Sequence, residues 1–387
     1  MTTASVAVIG GGVIGASVAY HLAARGWRDV VILDRGAGPG GGSTSRATGG
    51  FRAQYATPIN VRLSLLAREK LFRFEAETGV DPGYSPVGYL WLARDEGELA
   101  RLREGQRVQH AEGLTEAVEV ASDDVPRLNP ALVTGDIVGG VFCPTDGYIR
   151  PMQLLEGYLA AAQRLGARVE WGVEATGFSR RADGTVSAVV TSRESIGVAA
   201  VVNAAGAWAA AVGDWAGVTL PVTPLRRQGA VTGPCDLLPE TMPMTIFAGD
   251  GFHLRVRDGR VLLLYPTPGV EGRPFDCSVD PSWIGQVRAL AHQRVPSLRG
   301  CPIDGSSCWA GLYEMSPDRH AILGAAPGCS NLFLANGSSG HGVMHAPALG
   351  HLLAEIISDG AASTLDATAL RPTRFAEGEP NPTSGVL

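Results

Sequence analysis

The chain has 387 residues, of which 45% are hydrophobic and 18% are charged. These values describe a globular protein with room for two domains, or for a nucleotide-binding domain that contains an inserted second domain. The formal net charge of −6 and the lack of a basic block argue against nucleic acid and against an anionic membrane surface as partners. No apolar stretch is long and uninterrupted enough to span a bilayer, so no membrane is expected.

Six cysteines are scattered along the chain without a CxxC pair or the spacing of metal ligands, so no metal site is predicted. In a chain of this size they favour reduced thiols in the cytoplasm over a disulfide framework. The apolar run at the N-terminus lacks a basic segment and is broken by glycines. It is therefore interpreted as a first strand and helix, not as a signal peptide.

The first unit of the chain predicts a strand, a glycine turn, a helix and a second strand. Residues 6–9 form the continuous apolar run of a parallel strand buried on both faces. Gly10, Gly12 and Gly15 follow in the spacing GxGxxG, which permits a tight turn, close approach of a pyrophosphate and packing of helix on strand. Asp34 ends the second strand, where a carboxylate binds ribose hydroxyls. Together with the N–H groups at the helix start, this unit predicts a dinucleotide site.

The remaining elements predict an α/β fold, α+β overall, with an antiparallel-sheet domain interleaved into a Rossmann domain. Helices are expected over 60–78, 96–110 and 152–165, and a meander over 167–192. The predicted nucleotide domain comprises 1–80, 142–220 and 306–375. The second domain comprises 81–141 and 221–305, where short alternating strands and prolines dominate. Residues 376–387 are expected to form a frayed tail.

The first unit does not distinguish NAD from FAD, but three later segments favour FAD. The segment GGSTSRATGGFR supplies hydroxyls, an arginine and glycines that suit a chain folded over a diphosphate and a flat ring. The segment VVNAAGAWA is a second strand end with small residues that permit close approach. GSSGHGV, before the last helix, offers N-terminal amides to the pyrimidine end of a flavin.

These segments, with PTDGYIRP and WAGLYEMSPDRHAILG, resemble the D-amino acid oxidase superfamily of flavoproteins, nearest its sarcosine oxidase and glycine oxidase branch. They span nearly the whole chain in the family's order. The resemblance implies a glutathione-reductase-like FAD domain and a substrate domain whose sheet covers the flavin. Aromatic-ring hydroxylases share the first fingerprint but end with a GD-containing motif, which GSSGHG replaces here.

The resemblance also implies the residues that contact FAD and the way in which the flavin is held. Dimethylglycine dehydrogenase-like members attach flavin to a histidine at the position of Arg46, and monomeric sarcosine oxidases attach it to a cysteine at the position of Gly311. Cys308 is out of register, so FAD is expected to be non-covalent. The implied FAD contacts are Gly10, Gly12, Val13, Ile14, Gly15, Asp34, Arg35, Ser43, Thr44, Ser45, Arg46, Gly49, Gly50, Val173, Ala205, Gly206, Trp208, Gly311, Gly340, His341, Gly342, Val343 and Met344.

Four residues are expected to carry the substrate chemistry. Arg52 matches the carboxylate-binding arginine of monomeric sarcosine oxidase, and an arginine fork suits a carboxylate. Tyr313 matches an active-site tyrosine of that branch. His253 is expected on a strand facing the flavin, where a group titrating near neutrality could favour the neutral amine. His341 lies in the flavin-contacting turn. Met344 stands where the branch has a lysine, so the carboxylate site must differ there.

The resemblance implies hydride transfer from the carbon beside the amine nitrogen of a sarcosine-like secondary amine to flavin N5. Oxygen is the expected acceptor and hydrogen peroxide the product. In the sarcosine oxidase branch a lysine over the flavin promotes the reaction with oxygen. Lys70 is the only lysine in this chain and lies in an early helix. His253, Arg255 or His341 must therefore take the place of that lysine, unless the acceptor is not oxygen. Two alternatives stay open: a dehydrogenase that passes electrons to a partner subunit, as in proline or dimethylglycine dehydrogenases, and a non-enzymatic flavin-binding assembly protein.

Overall fold

The computed structural model describes residues 2–267 and 273–383, and the strands and helices below are those of this part of the chain. The strands are β1 (Thr2–Ile9), β2 (Val30–Asp34), β3 (Gly50–Phe51), β4 (Tyr89–Ala93), β5 (Val118–Ala121), β6 (Gly139–Cys143), β7 (Gly147–Tyr148), β8 (Arg168–Trp171), β9 (Ala175–Arg180), β10 (Val186–Thr191), β11 (Ser195–Asn203), β12 (Thr223–Pro234), β13 (Met244–Phe247), β14 (His253–Arg257), β15 (Arg260–Leu264), β16 (Trp309–Met315), β17 (Ile322–Ala326) and β18 (Cys329–Asn336).

The helices are α1 (Val13–Ala24), α2 (Pro58–Thr78), α3 (Glu96–Ala111), α4 (Val125–Leu128), α5 (Pro151–Arg164), α6 (Ala209–Asp214), α7 (Pro281–Arg294) and α8 (Gly342–Asp359). Within the described residues, no helix combines the length and the apolarity that crossing a bilayer requires.

A mainly parallel sheet forms the first half of the fold, in the order β17-β18-β11-β1-β2-β8. β1 pairs in parallel with both β2 and β11, and its residues 6–8 are fully buried because helices cover one face and the hairpin β9–β10 with α6 lies toward the other. Helices α1, α5 and α8 pack together on the first face. The predicted Rossmann unit is confirmed.

The second sheet has the order β16-β12-β15-β14-β13-β4-β6-β5 and is antiparallel except where β13 pairs with β4. One face packs against α7 in an apolar cluster of its own, and residues of the other face line the large cavity between the two sheets. The α/β class with a second, largely antiparallel sheet is therefore confirmed.

Two details of the predicted organisation differ in the structure. β16 pairs with β12 in the second sheet, although residues 306–375 were assigned to the nucleotide domain, because its backbone continues the antiparallel ladder from Thr223 to Gly229. β8 pairs in parallel with β2, so the predicted meander reduces to the hairpin β9–β10. The domain boundaries themselves stay a prediction.

The expectation that all the cysteines are reduced is wrong for one pair. Cys235 and Cys301 form a disulfide, with Cα atoms 5.7 Å apart and a sequence separation of 66 residues. Such a separation gives no local signal, because only the fold of the second domain brings the two residues together. Cys143, Cys277, Cys308 and Cys329 are free. The cytoplasmic location rested on reduced thiols and stays a prediction.

The first part of the predicted tail is not frayed. Asn381 donates from its backbone and its side chain to Asp318, and Asp318 also forms a buried ion pair with Arg374. Arg374 is fully buried and donates to three carbonyls as well. These contacts hold residues up to Asn381 on the loop after β16, while residues 384–387 lie outside the described part of the chain.

Candidate active site

A cavity of about 760 Å³ lies between the first sheet and the second. Its size is at the upper end of the range of roughly 300–1,000 Å³ that small-molecule sites occupy. Every predicted cofactor residue except Gly15 and Ser45 lines it, as do all four residues predicted to act on the substrate. Residues that are far apart in the sequence, from Gly10 to Met344, therefore meet at one site.

The turn from β1 into α1 is shaped by two glycines. Gly10 has φ +107°, and a Cβ there would lie 2.3 Å from the carbonyl oxygen of Ala204. Gly15 does not line the cavity, because it packs on the strand: a Cβ there would lie 2.0 Å from the oxygen of Gly10. The helix therefore starts at the cavity wall, with its first N–H groups and the positive end of its dipole toward the cavity.

The segment after β2 covers this helix start. The hydroxyl of Thr44 accepts the N–H of Val13 at 3.1 Å, and the Ser43 hydroxyl donates to the oxygen of Leu312 at 2.7 Å. The Ser45 hydroxyl donates to the oxygen of Gly40 instead and does not line the cavity. Ser43 and Thr44 thus join the segment to β16 and to the start of α1, whereas a cofactor contact of Ser45 has no support from this arrangement.

The end of the cavity beside β2 carries the groups that suit an adenosine. The Asp34 carboxylate accepts the N–H groups of Gly11 and Gly36, each at 2.7 Å, and retains lone pairs for ribose hydroxyls. The guanidinium of Arg35 lies 4.2 Å from the centroid of the Trp208 ring. Val173 also lines the cavity as a buried apolar residue.

Space along the cavity fits a dinucleotide of the predicted kind. Gly41, Gly42 and Gly206 line it, and a Cβ at each of them would have open space within 4 Å. The backbone is therefore exposed to a ligand along the path from the helix start to the second sheet. The donor set of helix amides and serine and threonine hydroxyls suits a diphosphate, so the residues present fit FAD.

Arg46 and Gly311 are the two positions at which relatives of the predicted family carry covalent flavin, and they are neighbours in space. A Cβ on Gly311 would lie 2.9 Å from the Cβ of Arg46. The Arg46 guanidinium donates to the oxygens of Gly41 and Gly42. None of the four free cysteines lines the cavity. The described residues therefore offer no thiol at the place where flavin would be attached.

Arg52 lies at the far end of the cavity and is 94% buried. Its guanidinium carbon lies 4.3 Å from the Tyr55 ring centroid and 5.0 Å from that of Trp91, and its Nη1 donates to the oxygen of Gln54. The strand pair β3–β7 and the buried Asp146, which accepts the N–H of Ala53 at 2.7 Å, fix the backbone around it. The guanidinium is thus held rigidly at the cavity wall.

His341 contacts Arg52 and is not a cation. Its Nε2 lies 3.4 Å from Nη2 of Arg52, and a guanidinium can only donate, so Nε2 accepts. Burial and the nearby Arg52 hold the pKa of His341 well below its usual value. The imidazole is therefore neutral at physiological pH.

The prediction that His253 titrates near neutrality is wrong. Burial lowers its pKa to about 4, with smaller contributions from Arg52 and Arg227. Its Nδ1 lies 2.8 Å from the oxygen of Gly251 and must donate to it, which leaves Nε2 as an acceptor. His253 lines the cavity as a neutral hydrogen-bond acceptor.

Tyr313 packs beside the turn before α8, and burial raises the pKa of its hydroxyl. Met344 lines the cavity where the branch carries a lysine, and the Tyr55 hydroxyl lies 3.1 Å from its sulfur. Arg255 does not line the cavity: it donates to the oxygen of Thr48 and lies over the Tyr148 ring. Lys70 is not at the cavity either, so no lysine faces the flavin site.

Two cavity residues were missed by the sequence reasoning. Glu314 follows Tyr313 in β16 and accepts the N–H of Ser338 through Oε1, while Oε2 has no hydrogen-bond partner among the described residues. Burial raises the pKa of Glu314 to about 7. Arg227 lies on β12, with its guanidinium 5.5 Å from the Tyr313 ring centroid. Neither residue has a periodic or spacing signal of its own in the sequence.

Residues 5–356 match the family described as FAD dependent oxidoreductase. The chain is 30% identical to FAD-dependent oxidoreductase domain-containing protein 1 of Xenopus laevis, over 97% of this chain and 83% of that protein. It is 28% identical to glycine oxidase of Geobacillus kaustophilus, over 91% and 92% of the two chains. It is also 28% identical to mouse mitochondrial dimethylglycine dehydrogenase, but it spans only 44% of that protein's length.

Among solved structures, the fold superimposes on L-proline dehydrogenase from P. horikoshii with a TM-score of 0.91 and 27% identity, covering 98% of this chain and all of that chain. Glycine oxidase from Geobacillus kaustophilus superimposes with a TM-score of 0.84 and 26% identity, covering 97% and 99%. In both cases the similarity extends over the two sheets and the cavity between them.

Proposed function

Because the chain belongs to the FAD dependent oxidoreductase family, we propose that it oxidises a small amino acid at the bond between the amine nitrogen and the adjacent carbon. The protein is an FAD-dependent enzyme. The observation that carries the substrate class is the buried guanidinium of Arg52 at the wall of the cavity that fits FAD. A buried arginine fork is the group best suited to hold a carboxylate in a fixed orientation.

FAD would be held by the start of α1, by Asp34, by Ser43 and Thr44 and by the turn that leads into α8. Bound FAD supplies the acceptor for the hydrogen and the two electrons removed from the carbon next to the substrate nitrogen. Arg46 and Gly311 stand at the positions where relatives attach flavin covalently. Neither residue can form such a bond, which supports non-covalent binding of FAD. The protein contributes orientation and electrostatics to this chemistry.

The chain's own residues place the substrate. Arg52 would bind its carboxylate through paired hydrogen bonds, and the contact with His341 would keep the guanidinium in one orientation. His253 offers its Nε2 as an acceptor for an amine N–H, which favours the amine lone pair pointing away from that bond. Tyr313 and Trp91 exclude water from the same end of the cavity.

A secondary amine is the proposed substrate. The relatives include dimethylglycine dehydrogenase, 4-methylaminobutanoate oxidase and L-proline dehydrogenase, whose names describe N-substituted substrates, besides glycine oxidase. The nitrogen end of the site is lined by the neutral imidazoles of His253 and His341. Neutral imidazoles and nearby guanidinium groups disfavour an ammonium cation, so they favour the neutral amine, which is the form that can be oxidised.

Oxygen is the first candidate acceptor, with hydrogen peroxide as product. The position of Lys70 favours a second candidate, an acceptor other than oxygen, because no lysine lines the cavity. The high structural similarity to L-proline dehydrogenase supports the same alternative. An electron-accepting partner subunit belongs to this second candidate.

An anaerobic screen of flavin reduction tests the proposal. The purified holoenzyme is mixed with sarcosine, other N-methyl amino acids, proline and glycine, and the absorbance of bound FAD is followed. We expect bleaching by at least one secondary amine, and air is then admitted. Rapid recovery of the absorbance with stoichiometric peroxide supports the oxidase, and recovery only with an artificial dye supports the dehydrogenase. Bleaching by none of these amines overturns the proposed function and leaves the assembly-protein alternative.

A further inference from the structure

Arg227 places a second, partly buried guanidinium at the wall of the cavity that also holds Arg52. It lies on β12 directly opposite Gly311 of β16, and both residues line the cavity. Its guanidinium carbon lies 5.5 Å from the Tyr313 ring centroid. The residue belongs to the cavity wall, and the carboxylate site at Arg52 does not include it.

The contacts of Arg227 leave its positive charge without a carboxylate among the described residues. Its Nη1 donates to the carbonyl oxygens of Thr267 and Arg226. Burial lowers its pKa, which reflects the cost of removing a cation from water. A buried cation is stabilised strongly by an anion in hydrogen-bonding contact. The cavity around it therefore favours a negatively charged ligand.

The acidic residues that line the cavity lie elsewhere or are otherwise engaged. Asp34 and Glu174 are at the adenosine end, where Glu174 faces Arg35 at 3.7 Å. Glu314 accepts the N–H of Ser338 at the turn before α8. The substrate half of the cavity thus carries more positive than negative side chains, and one zwitterionic amino acid does not balance it.

Arg52 and Arg227 both act on the same two side chains. Each guanidinium lowers the pKa of His253 and the pKa of Tyr313 through its charge. The two cations therefore lie within electrostatic reach of one region of the cavity, Arg227 from β12 and Arg52 from the segment that follows β3. Two anionic groups on a single small molecule suit this arrangement.

We propose that Arg227 binds a second carboxylate of the substrate, so that the preferred substrates are secondary amines with two carboxylates. This inference rests on the proposed function, in which Arg52 binds the first carboxylate. The second carboxylate lies on the N-substituent or on the side chain of the amino acid. Arg227 is a specificity-determining residue in this assignment and takes no part in the oxidation itself.

Matched substrate pairs test the proposal. The holoenzyme is mixed anaerobically with iminodiacetate and with its monoamide, and with N-methylaspartate and N-methylasparagine, and kcat/KM for flavin reduction is compared within each pair. We expect the diacid to be preferred by roughly 10- to 100-fold, the contribution of one charge-assisted hydrogen-bonded pair. Arg227→Gln should reduce this ratio to about 1, while Arg227→Lys should retain part of it.

Arg299→Gln is the matched control, because it removes the same charge from an exposed turn and should keep the ratio of the wild type. FAD content and thermal unfolding show whether each variant is folded. A second readout needs no turnover: malonate or succinate is titrated into oxidised holoenzyme, and the perturbation of the flavin absorbance gives a Kd, which should rise roughly 10- to 100-fold in Arg227→Gln.

Equal use of diacid and monoamide by the wild type, or a ratio unchanged in a folded Arg227→Gln, overturns the second-carboxylate site while leaving the proposed function intact. Failure of every amine to bleach the flavin overturns the proposed function instead. In that case the dicarboxylate titration still decides whether Arg227 binds an anion. The two failures are therefore distinguishable.

Discussion

The Nη2 atom of Arg52 lies 3.4 Å from Nε2 of His341, across 289 residues of sequence. Arg52 follows the short strand β3, and His341 precedes α8. This contact therefore forms only when the segment around β3 and the C-terminal helix are both in place. The neutral imidazole accepts from the guanidinium without cancelling its charge. The cation is oriented and remains able to bind a carboxylate.

Arg52→Gln should lower kcat/KM for flavin reduction by about 100-fold, because a charge-assisted pair in a buried site is worth roughly 2–5 kcal/mol. The measurement is anaerobic stopped-flow reduction with the best amine of the screen. Arg52→Lys keeps the charge but loses the fork, and we expect it to recover only part of the rate. Unchanged kinetics in a folded, FAD-loaded Arg52→Gln would contradict the carboxylate role.

FAD should leave the denatured protein completely. Neither Arg46 nor Gly311 can form a bond to flavin, and the free cysteines lie away from the cavity. After precipitation in acid, we expect the yellow colour in the supernatant and a colourless pellet. Flavin fluorescence of the unfolded chain on a denaturing gel would instead show covalent attachment.

The nucleotide half of the site was predictable because its signals are local. Gly10, Gly12 and Asp34 lie within one strand-turn-helix-strand unit, where spacing alone defines the geometry. The family resemblance then placed Arg52 and the turn at Gly340 in the same site, and both line the cavity. Here the sequence pattern and the fold agree.

The substrate half was less predictable, because tertiary packing decides it. The pKa of His253 depends on burial in the assembled cavity, which no neighbouring residue in the sequence reveals. Glu314 and Arg227 become cavity residues only because β16 joins β12 in the second sheet. The pairing of Cys235 with Cys301 likewise depends on contacts across 66 residues.

The disulfide should contribute measurably to stability. Closing a loop of this length restricts the unfolded chain, and native disulfides typically contribute about 2–4 kcal/mol. We expect Cys235→Ser to lower the free energy of unfolding by about that amount in denaturant titrations without reductant. Cys277→Ser removes an exposed free thiol and serves as the control. If reductant and Cys235→Ser both leave the midpoint unchanged, the pair does not form in solution.

Glu314 should give the enzyme a pH dependence near neutrality. Burial raises the pKa of its carboxyl to about 7, so the group is neutral below that pH and charged above it, next to the turn before α8. Since FAD is expected to contact this turn, the absorbance spectrum of bound flavin should shift with an apparent pKa of about 7. Glu314→Gln should abolish the shift and resemble the wild type at low pH.

The free energy of unfolding should decrease as the pH rises and Glu314 ionises. A carboxyl whose pKa is raised in the folded state contributes stability that is complete below its unfolded value, near 4.5, and is lost as the pH rises through about 7. The Tm of Glu314→Gln relative to the Tm of the wild type should therefore be higher at about pH 8.5 than at about pH 5. The higher pH is roughly 1.5 units above the folded pKa, and the lower pH is close to the unfolded pKa. A difference in Tm that is the same at both pH values, with an unaltered flavin titration, would contradict both a raised pKa of Glu314 and its contact with the flavin site.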